Sequence, residues 1–287
     1  MNNQQAIKSL IIGSVVAALV AFAGSQYSQT FNNLPIFAIC VGLAFFINWV
    51  VFIPANILQT EKFFDLTGSL TYITVTLVAL YLSDNLDNRS KLLAALVIIW
   101  AVRLGTFLFN RILQDGKDDR FDKIKPNFLR FLNVWTLQAL WVSLTASAAF
   151  IAITSIERKE LGLVAFFGLG IWIIGFLFEV IADNQKRQFR KNSANKGKFI
   201  QSGLWAKSRH PNYFGEIMLW IGVFIIAAPV LQGWQWVALL SPIFVTLLLT
   251  KISGIPGLEA KANKKWGGQA DYEAYKSNTP ILIPKLT

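Results

Sequence analysis

The chain has one cysteine and one histidine in 287 residues. The lone cysteine, Cys40, excludes disulfides within the chain and any cysteine-based zinc site. Its apolar surroundings read as packing. The lone histidine, His210, excludes a multi-histidine metal centre, so no metal is expected. Charge is scarce too: 15% of residues are charged, against roughly 25% in soluble domains. Internal repeats and low-complexity tracts are absent. The longest polar stretches, 111–130, 183–211 and 253–287, are too short to bury a core of their own.

Apolar and aromatic residues fill the chain instead. Hydrophobic residues make up 54% and aromatics 14%, with ten tryptophans, twenty-three phenylalanines and a mean hydropathy of +0.47. This is the composition of a multi-pass membrane protein with aromatic interface belts. A helix needs about 20 apolar residues to cross the hydrocarbon core. Spans accordingly read near 9–27, 35–55, 66–83, 91–110, 131–154, 161–182, 212–230 and 234–252. The polar stretch Tyr27–Pro35 separates the first two, and Pro229 with Gln232-Gly233 turns between the last two. The first segment is expected to be an uncleaved span: Ala21-Phe22-Ala23 resembles a signal-peptide cleavage site, but Lys8 alone is a weak basic start. The expectation is an all-α bundle of seven or eight transmembrane helices around a cytosol-facing cavity.

The net charge of +11 does not point to nucleic acid, because the 27 Lys and Arg flank apolar spans and form no soluble basic face. With the N-terminus in the cytosol, only Arg89, Lys91, Arg158 and Lys159 fall in outside loops, and Arg103 falls within a span. All the others lie inside, which orients the chain with both termini cytosolic. The long polar loops then face the compartment where nucleotide cofactors occur.

The segment Ser208-Arg209-His210-Pro211-Asn212-Tyr213-Phe214-Gly215-Glu216 stands where a basic loop runs into an apolar one. Pro211 suits a first helical turn, and such a helix start aims free N–H groups at an anion. Asn212 and Glu216 are four apart and share a face. A carboxylate one turn into a span needs a partner or a ligand. Glu179 and Asp183 form another i, i+4 pair, followed by Lys186, Arg187 and Arg190. Arg103, within a span, is either functional or a cation snorkelling to the cytosolic face. Asp65 and Tyr72, two turns apart, either line a cavity or serve as a helix cap and a belt aromatic. The basic loop 184–211 suits a phosphorylated cofactor or anionic headgroups, with Lys198 beside Phe199-Ile200 as a candidate. The tail, with Trp266, Tyr272 and Tyr275, reads as an interfacial amphipathic helix.

With these residues in view, the chain resembles the steroid 5-alpha-reductase-like membrane family in its bacterial branch. The resemblance covers roughly residues 60–287. It rests on Arg209-His210-Pro211-Asn212-Tyr213 with Gly215-Glu216, and on Asp183 followed by Gln188-Phe189-Arg190. Lys198, Ser202-Gly203-Leu204-Trp205 and the tail from Lys265-Trp266-Gly267 to Ile283-Pro284 extend it. It implies N-terminal transmembrane helices over 1–60 and a catalytic membrane domain over 61–287. It further implies an NADPH-dependent reduction of a carbon–carbon double bond in a hydrophobic substrate: steroid, sterol, polyprenoid or lipid enone. NADPH would be held by Asp183, Arg187, Arg190, Lys198, Arg209, His210, Asn212, Tyr213 and Glu216, with Tyr272 and Tyr275 as further candidates. Asp65, Tyr72 and Arg103 are the candidates for the catalytic side.

The chain also departs from the family. Trp100 stands where a ketone-polarising tyrosine is expected, Asp65 is only a rough stand-in for its glutamate, and no histidine-rich stretch follows the last span. An S-adenosylmethionine-dependent membrane methyltransferase of the isoprenylcysteine or phospholipid type is the alternative. Those enzymes share the Arg-His-Pro segment but carry a Glu-Glu pair where this chain has Glu259-Ala260. A transporter or assembly factor ranks third. The expected partners are a small hydrophobic substrate and membrane lipid, with neither nucleic acid nor an obligate protein partner. The family branch suggests a bacterial inner membrane.

Overall fold

A bilayer offers no water to backbone N–H and C=O groups, so apolar runs of this length must be helical. The computed structural model, which describes residues 2–285, is built in this way. Its helices are α1 (Asn3–Gly24), α2 (Ile36–Ile57), α3 (Phe64–Leu82), α4 (Asn88–Asp115), α5 (Phe128–Thr145), α6 (Ser147–Thr154), α7 (Leu163–Lys191), α8 (Pro211–Ala227), α9 (Leu240–Leu247), α10 (Ile255–Trp266) and α11 (Ala270–Asn278). Among the described residues, seven helical segments are long and apolar enough to cross a membrane, or up to eight when the bent pair α5–α6 counts as one. The protein is thus an all-α, multi-pass integral membrane protein. It has two compact units: residues 1–165 with 224–241, and residues 166–223 with 242–287.

In the first unit the elements begin and end where local chemistry directs. α1 opens on a capping box, with Asn2 and Gln5 exchanging backbone-to-side-chain bonds of 2.8 Å. Between α1 and α2 a two-stranded hairpin, β1 (Thr30–Phe31) and β2 (Leu34–Pro35), turns through Asn32 and Asn33 at φ +49° and +64°. A tight hairpin turn demands this left-handed pair, and asparagine tolerates it. Phe52, Phe64, Phe121, Phe131 and Trp135 form an aromatic core with edge-on contacts, Phe64 to Trp135 at 5.2 Å.

Two of the expected spans are irregular. The run 131–154 is not one straight span, because α5 and α6 meet at a 58° bend around Ala146. No proline or glycine causes it. The Thr145 carbonyl at the bend accepts the Ser241 hydroxyl, and Ser147 Oγ donates to Leu144 O at 2.8 Å, so side chains satisfy the groups the bend frees. The last run, 234–252, is not a simple helix either. It starts as a 3₁₀ segment (Gly233–Leu239), continues as α9 and widens to a π-helical turn (Leu248–Ile252).

Arg89 and Arg158, two of the four cations that break the charge asymmetry, have structural work. Arg89, 3% exposed, donates to the carbonyls of Lys159, Glu160 and Ile226. Arg158 donates to Ala152 O, Ile153 O and Asp84 O. Ile226, Ala152 and Ile153 lie in the last turns of α8 and α6, where carbonyls lack intrahelical partners and cations are favoured.

The second unit depends on glycines. Gly168 and Gly175 on α7 are seven apart, two turns along one face, as are Gly215 and Gly222 on α8. A Cβ on Gly175 would fall 2.6 Å from both Gly215 O and Leu219 N, and one on Gly222 would fall 2.6 Å from Gly168 O. The two backbones therefore touch at both levels in antiparallel register, an approach only small residues permit. Replacing Gly175 with alanine should lower the thermal midpoint in detergent, at a cost of about 1–3 kcal/mol. Gly170→Ala, where a Cβ meets nothing within 4 Å, should leave the midpoint unchanged or raise it slightly. Equal melting of the two variants would contradict the close approach.

Candidate functional site

The glycine contact sets what stands next to what at the polar end of the α7–α8 pair. Asp183 lies eight residues past Gly175, and Asn212 three before Gly215. Asn212 Nδ2 donates to Asp183 Oδ1 at 3.1 Å. Asp183 and Glu179 are both buried, at 8% and 2% exposure. The loop joining the helices folds back on α7. Gly203 takes φ +61° with the Gln185 carboxamide packed against it, and Gln185 Oε1 accepts from Leu204 N at 3.0 Å. A side chain at residue 203 would collide there and strain the turn. Trp205 is buried, its indole N–H donating to Ala182 O at 2.9 Å while the Lys186 ammonium sits 4.1 Å above its ring.

The Arg209-His210 pair meets a residue fifty positions away. Glu259, on α10, accepts from Arg209 Nη1 at 2.6 Å through Oε2 and lies 2.8 Å from His210 Nε2 through Oε1. An ionised carboxylate only accepts, so Nε2 carries the proton and Nδ1 presents a lone pair. His210 Nδ1 and Arg209 Nε are both buried without a hydrogen-bond partner. The cluster thus holds one unused acceptor and one unused donor, the pattern of a site built for a polar ligand. The His210 ring stacks on Tyr213, centroids 5.7 Å apart.

The tail closes around this pair. Arg209 N donates to Pro280 O at 2.9 Å, Ser208 Oγ to Leu282 O at 2.8 Å and Lys285 N to Lys207 O at 3.0 Å. Tyr275 donates its hydroxyl to Trp205 O at 2.7 Å and Tyr272 its own to Asn263 Oδ1 at 3.3 Å. Phe199 packs against both tyrosines and Trp266. Burial pushes both phenols above their ordinary value of 10.0, helped by the Glu259 charge and opposed by Arg209, so they remain neutral donors.

Of the candidate cofactor residues, the structure pairs Asp183 with Asn212, seats Arg209 and His210 on Glu259 with Tyr213 stacked on His210, and packs Tyr272 and Tyr275 against Phe199. Glu216 lies half-buried one turn further along α8. Arg187, Arg190 and Lys198 are exposed, with Arg187 donating to Asn184 at 3.1 Å. In the first unit, Asp65 pairs with Arg111 at 3.5 Å, Arg103 lies 5.3 Å over the Phe107 ring, and buried Tyr72 meets Trp100 edge-on at 5.1 Å. Sequence reasoning left Glu259, Lys186 and Trp205 out of the site. Glu259 carried a signal, as the only carboxylate between Glu216 and Asp271.

His210 offers a direct readout, because the chain holds no other histidine. Burial holds its pKa below the ordinary 6.5, although the hydrogen bond and charge of Glu259 pull upward; Lys186 and Arg209 add to the lowering. The unfolded chain then binds a proton that the folded chain refuses. This group's contribution to stability is full above about pH 6.5 and declines as the pH falls below it. Titration of the imidazole ring proton by NMR should give a midpoint under 6.5. Glu259→Gln should move it lower still, and an upward move would contradict the pairing.

The chain matches the family described as "Protein of unknown function (DUF1295)" over residues 51–279. It is 32% identical over 119 residues to 3-oxo-5-alpha-steroid 4-dehydrogenase 1 of Macaca fascicularis, covering 42% of this chain and 40% of that protein. It is 30% identical over 149 residues to Steroid 5-alpha-reductase DET2 of Gossypium hirsutum, covering 52% and 50%. It is 27% identical over 230 residues to Delta(14)-sterol reductase ERG24 of Saccharomyces cerevisiae, covering 75% and 49%. The chain thus spans about half the length, or less, of these curated relatives. No solved structure matches it significantly. With the match running from α2 to the tail, and the network of α7, α8 and α10 lying within it, the chain belongs to the DUF1295 family, a 5-alpha-reductase-like family of membrane proteins.

Proposed function

We propose that the protein is an NADPH-dependent reductase of a carbon–carbon double bond in a hydrophobic substrate, a steroid, sterol, polyprenoid or lipid enone. The observation that carries this reading is the network of Asp183, Asn212, Arg209, His210 and Glu259, with its unused buried donor and acceptor. A dinucleotide needs cations for its phosphates and polar partners for its amide and ribose groups. Half-buried Arg209 and Lys186 supply charge beside these residues, and exposed Arg187, Arg190 and Lys198 supply more. The relatives named as steroid and sterol reductases support the same chemistry.

In this reading NADPH supplies the hydride, and the chain binds, orients and excludes water. Glu259 keeps Arg209 and His210 in place, and these two residues would hold the cofactor through the unused His210 Nδ1 acceptor and Arg209 Nε donor. Asp183 fixes the Asn212 carboxamide. Tyr272 and Tyr275 stay protonated and hold the tail over the site. Asp65, Tyr72 and Arg103 are the groups we assign to the catalytic side. Both termini face the cytosol in this account, as in a bacterial inner membrane, and the cofactor enters from that side. The role is in lipid metabolism.

Equilibrium binding on the purified protein tests the reading. NADPH should bind, S-adenosylmethionine should not, and NADH should bind more weakly for want of the 2′-phosphate. Asn212→Ala should weaken NADPH at least about tenfold, near the loss of one charge-assisted hydrogen bond. Unchanged binding in that variant, or selective binding of S-adenosylmethionine, would overturn it.

A further inference from the structure

Away from this network, α1 and α5 of the first unit form a second feature with a chemical signature. They run side by side, and Asn127 at the start of α5 donates to Asn3 at the start of α1 at 2.9 Å. Between them lies a groove of about 360 Å³ lined by Gln5, Lys8, Ser9, Ile12, Gly13, Val16, Leu137 and Leu140. Its polar residues sit together near the helix starts, and its apolar residues follow. Gly13 makes the floor: a Cβ there would already touch Leu140 at 3.6 Å and Leu137 at 3.8 Å, and any longer side chain would fill the space.

The mouth is held in advance of any ligand. The capping box takes the Gln5 carboxamide oxygen, which leaves its amide N–H groups as donors. Lys8 is the only charged residue before Glu61, and none of the lining residues is acidic. Arg130, seven residues before Leu137 and so on the same face of α5, starts at the same end, and its Nε is buried without a hydrogen-bond partner. One cation at the mouth and a second on the adjoining helix face, above an apolar channel, match an anion joined to an acyl chain.

We propose that this groove binds one anionic glycerophospholipid, its phosphate held by Lys8, Gln5 and Ser9 and one acyl chain laid along Gly13. The electrostatic part distinguishes it from general solvation by lipid tails, which are indifferent to headgroup charge. Its lining residues belong to the first unit and share none with the proposed cofactor network, so its test does not depend on that reading.

Native mass spectrometry of the full chain in detergent, with phosphatidylglycerol, phosphatidylcholine or inorganic phosphate added, gives the decision. One phosphatidylglycerol should be retained, and phosphatidylcholine and inorganic phosphate should not be. Lys8→Gln should reduce retention about fivefold, the weight of one interfacial cation. Gly13→Leu should abolish it, with NADPH binding unchanged in both variants. Equal retention of the two lipids, binding of inorganic phosphate in the lipid's place, or full retention by Lys8→Gln would overturn the proposal. Should Gly13→Leu fail to fold, Lys8→Gln alone decides.

Discussion

The closeness of two backbones governs the second unit. Gly168, Gly175, Gly215 and Gly222 let α7 and α8 touch without intervening side chains. Apolar burial cannot drive this contact inside a bilayer, where lipid tails are as apolar as leucine, so shape and van der Waals contact must hold it. The consequence is positional. With the helices in register at two levels, Asp183 and Asn212 can only stand opposite each other, and their hydrogen bond follows from the packing.

A second constraint acts at the polar end. Half-buried Arg209 stands beside buried His210, and a cation or a polar ring drawn out of water is costly without a partner. Glu259 answers both with one carboxylate, one oxygen to each. The tail ties down Lys207, Ser208 and Arg209 through Lys285, Leu282 and Pro280. The signature is therefore clamped by its helix, by α10 and by the tail, while Nδ1 of His210 and Nε of Arg209 stay available. Such rigidity suits a binding site, because groups ordered beforehand lose little entropy when a ligand arrives.

Much of this was legible in the sequence. Apolar runs of bilayer length identified the spans, and the polar stretch Tyr27–Pro35 marked the break that became a hairpin. The cluster around residues 208–216 stood out through its position at a charge boundary. What was not legible depended on distance or on subtle chemistry. The bend at Ala146 has no proline or glycine to announce it, and Ser241, which satisfies it, lies far along the chain. Glu259 is fifty residues from Arg209, and no spacing rule joins them. The charge count treated Arg89 and Arg158 as exceptions to a bias, whereas burial against helix-end carbonyls explains their place. The sevenfold glycine spacing was visible in principle, but only its antiparallel partner gave it meaning.

The central claim is that the network joining α7, α8 and α10 is where the cofactor binds. Hydrogen–deuterium exchange with and without NADPH tests it most directly. The account predicts slowed exchange across 203–216 and 255–276, with the loop 116–127 of the first unit unaffected. Protection absent from those segments, or confined to the first unit, would contradict it.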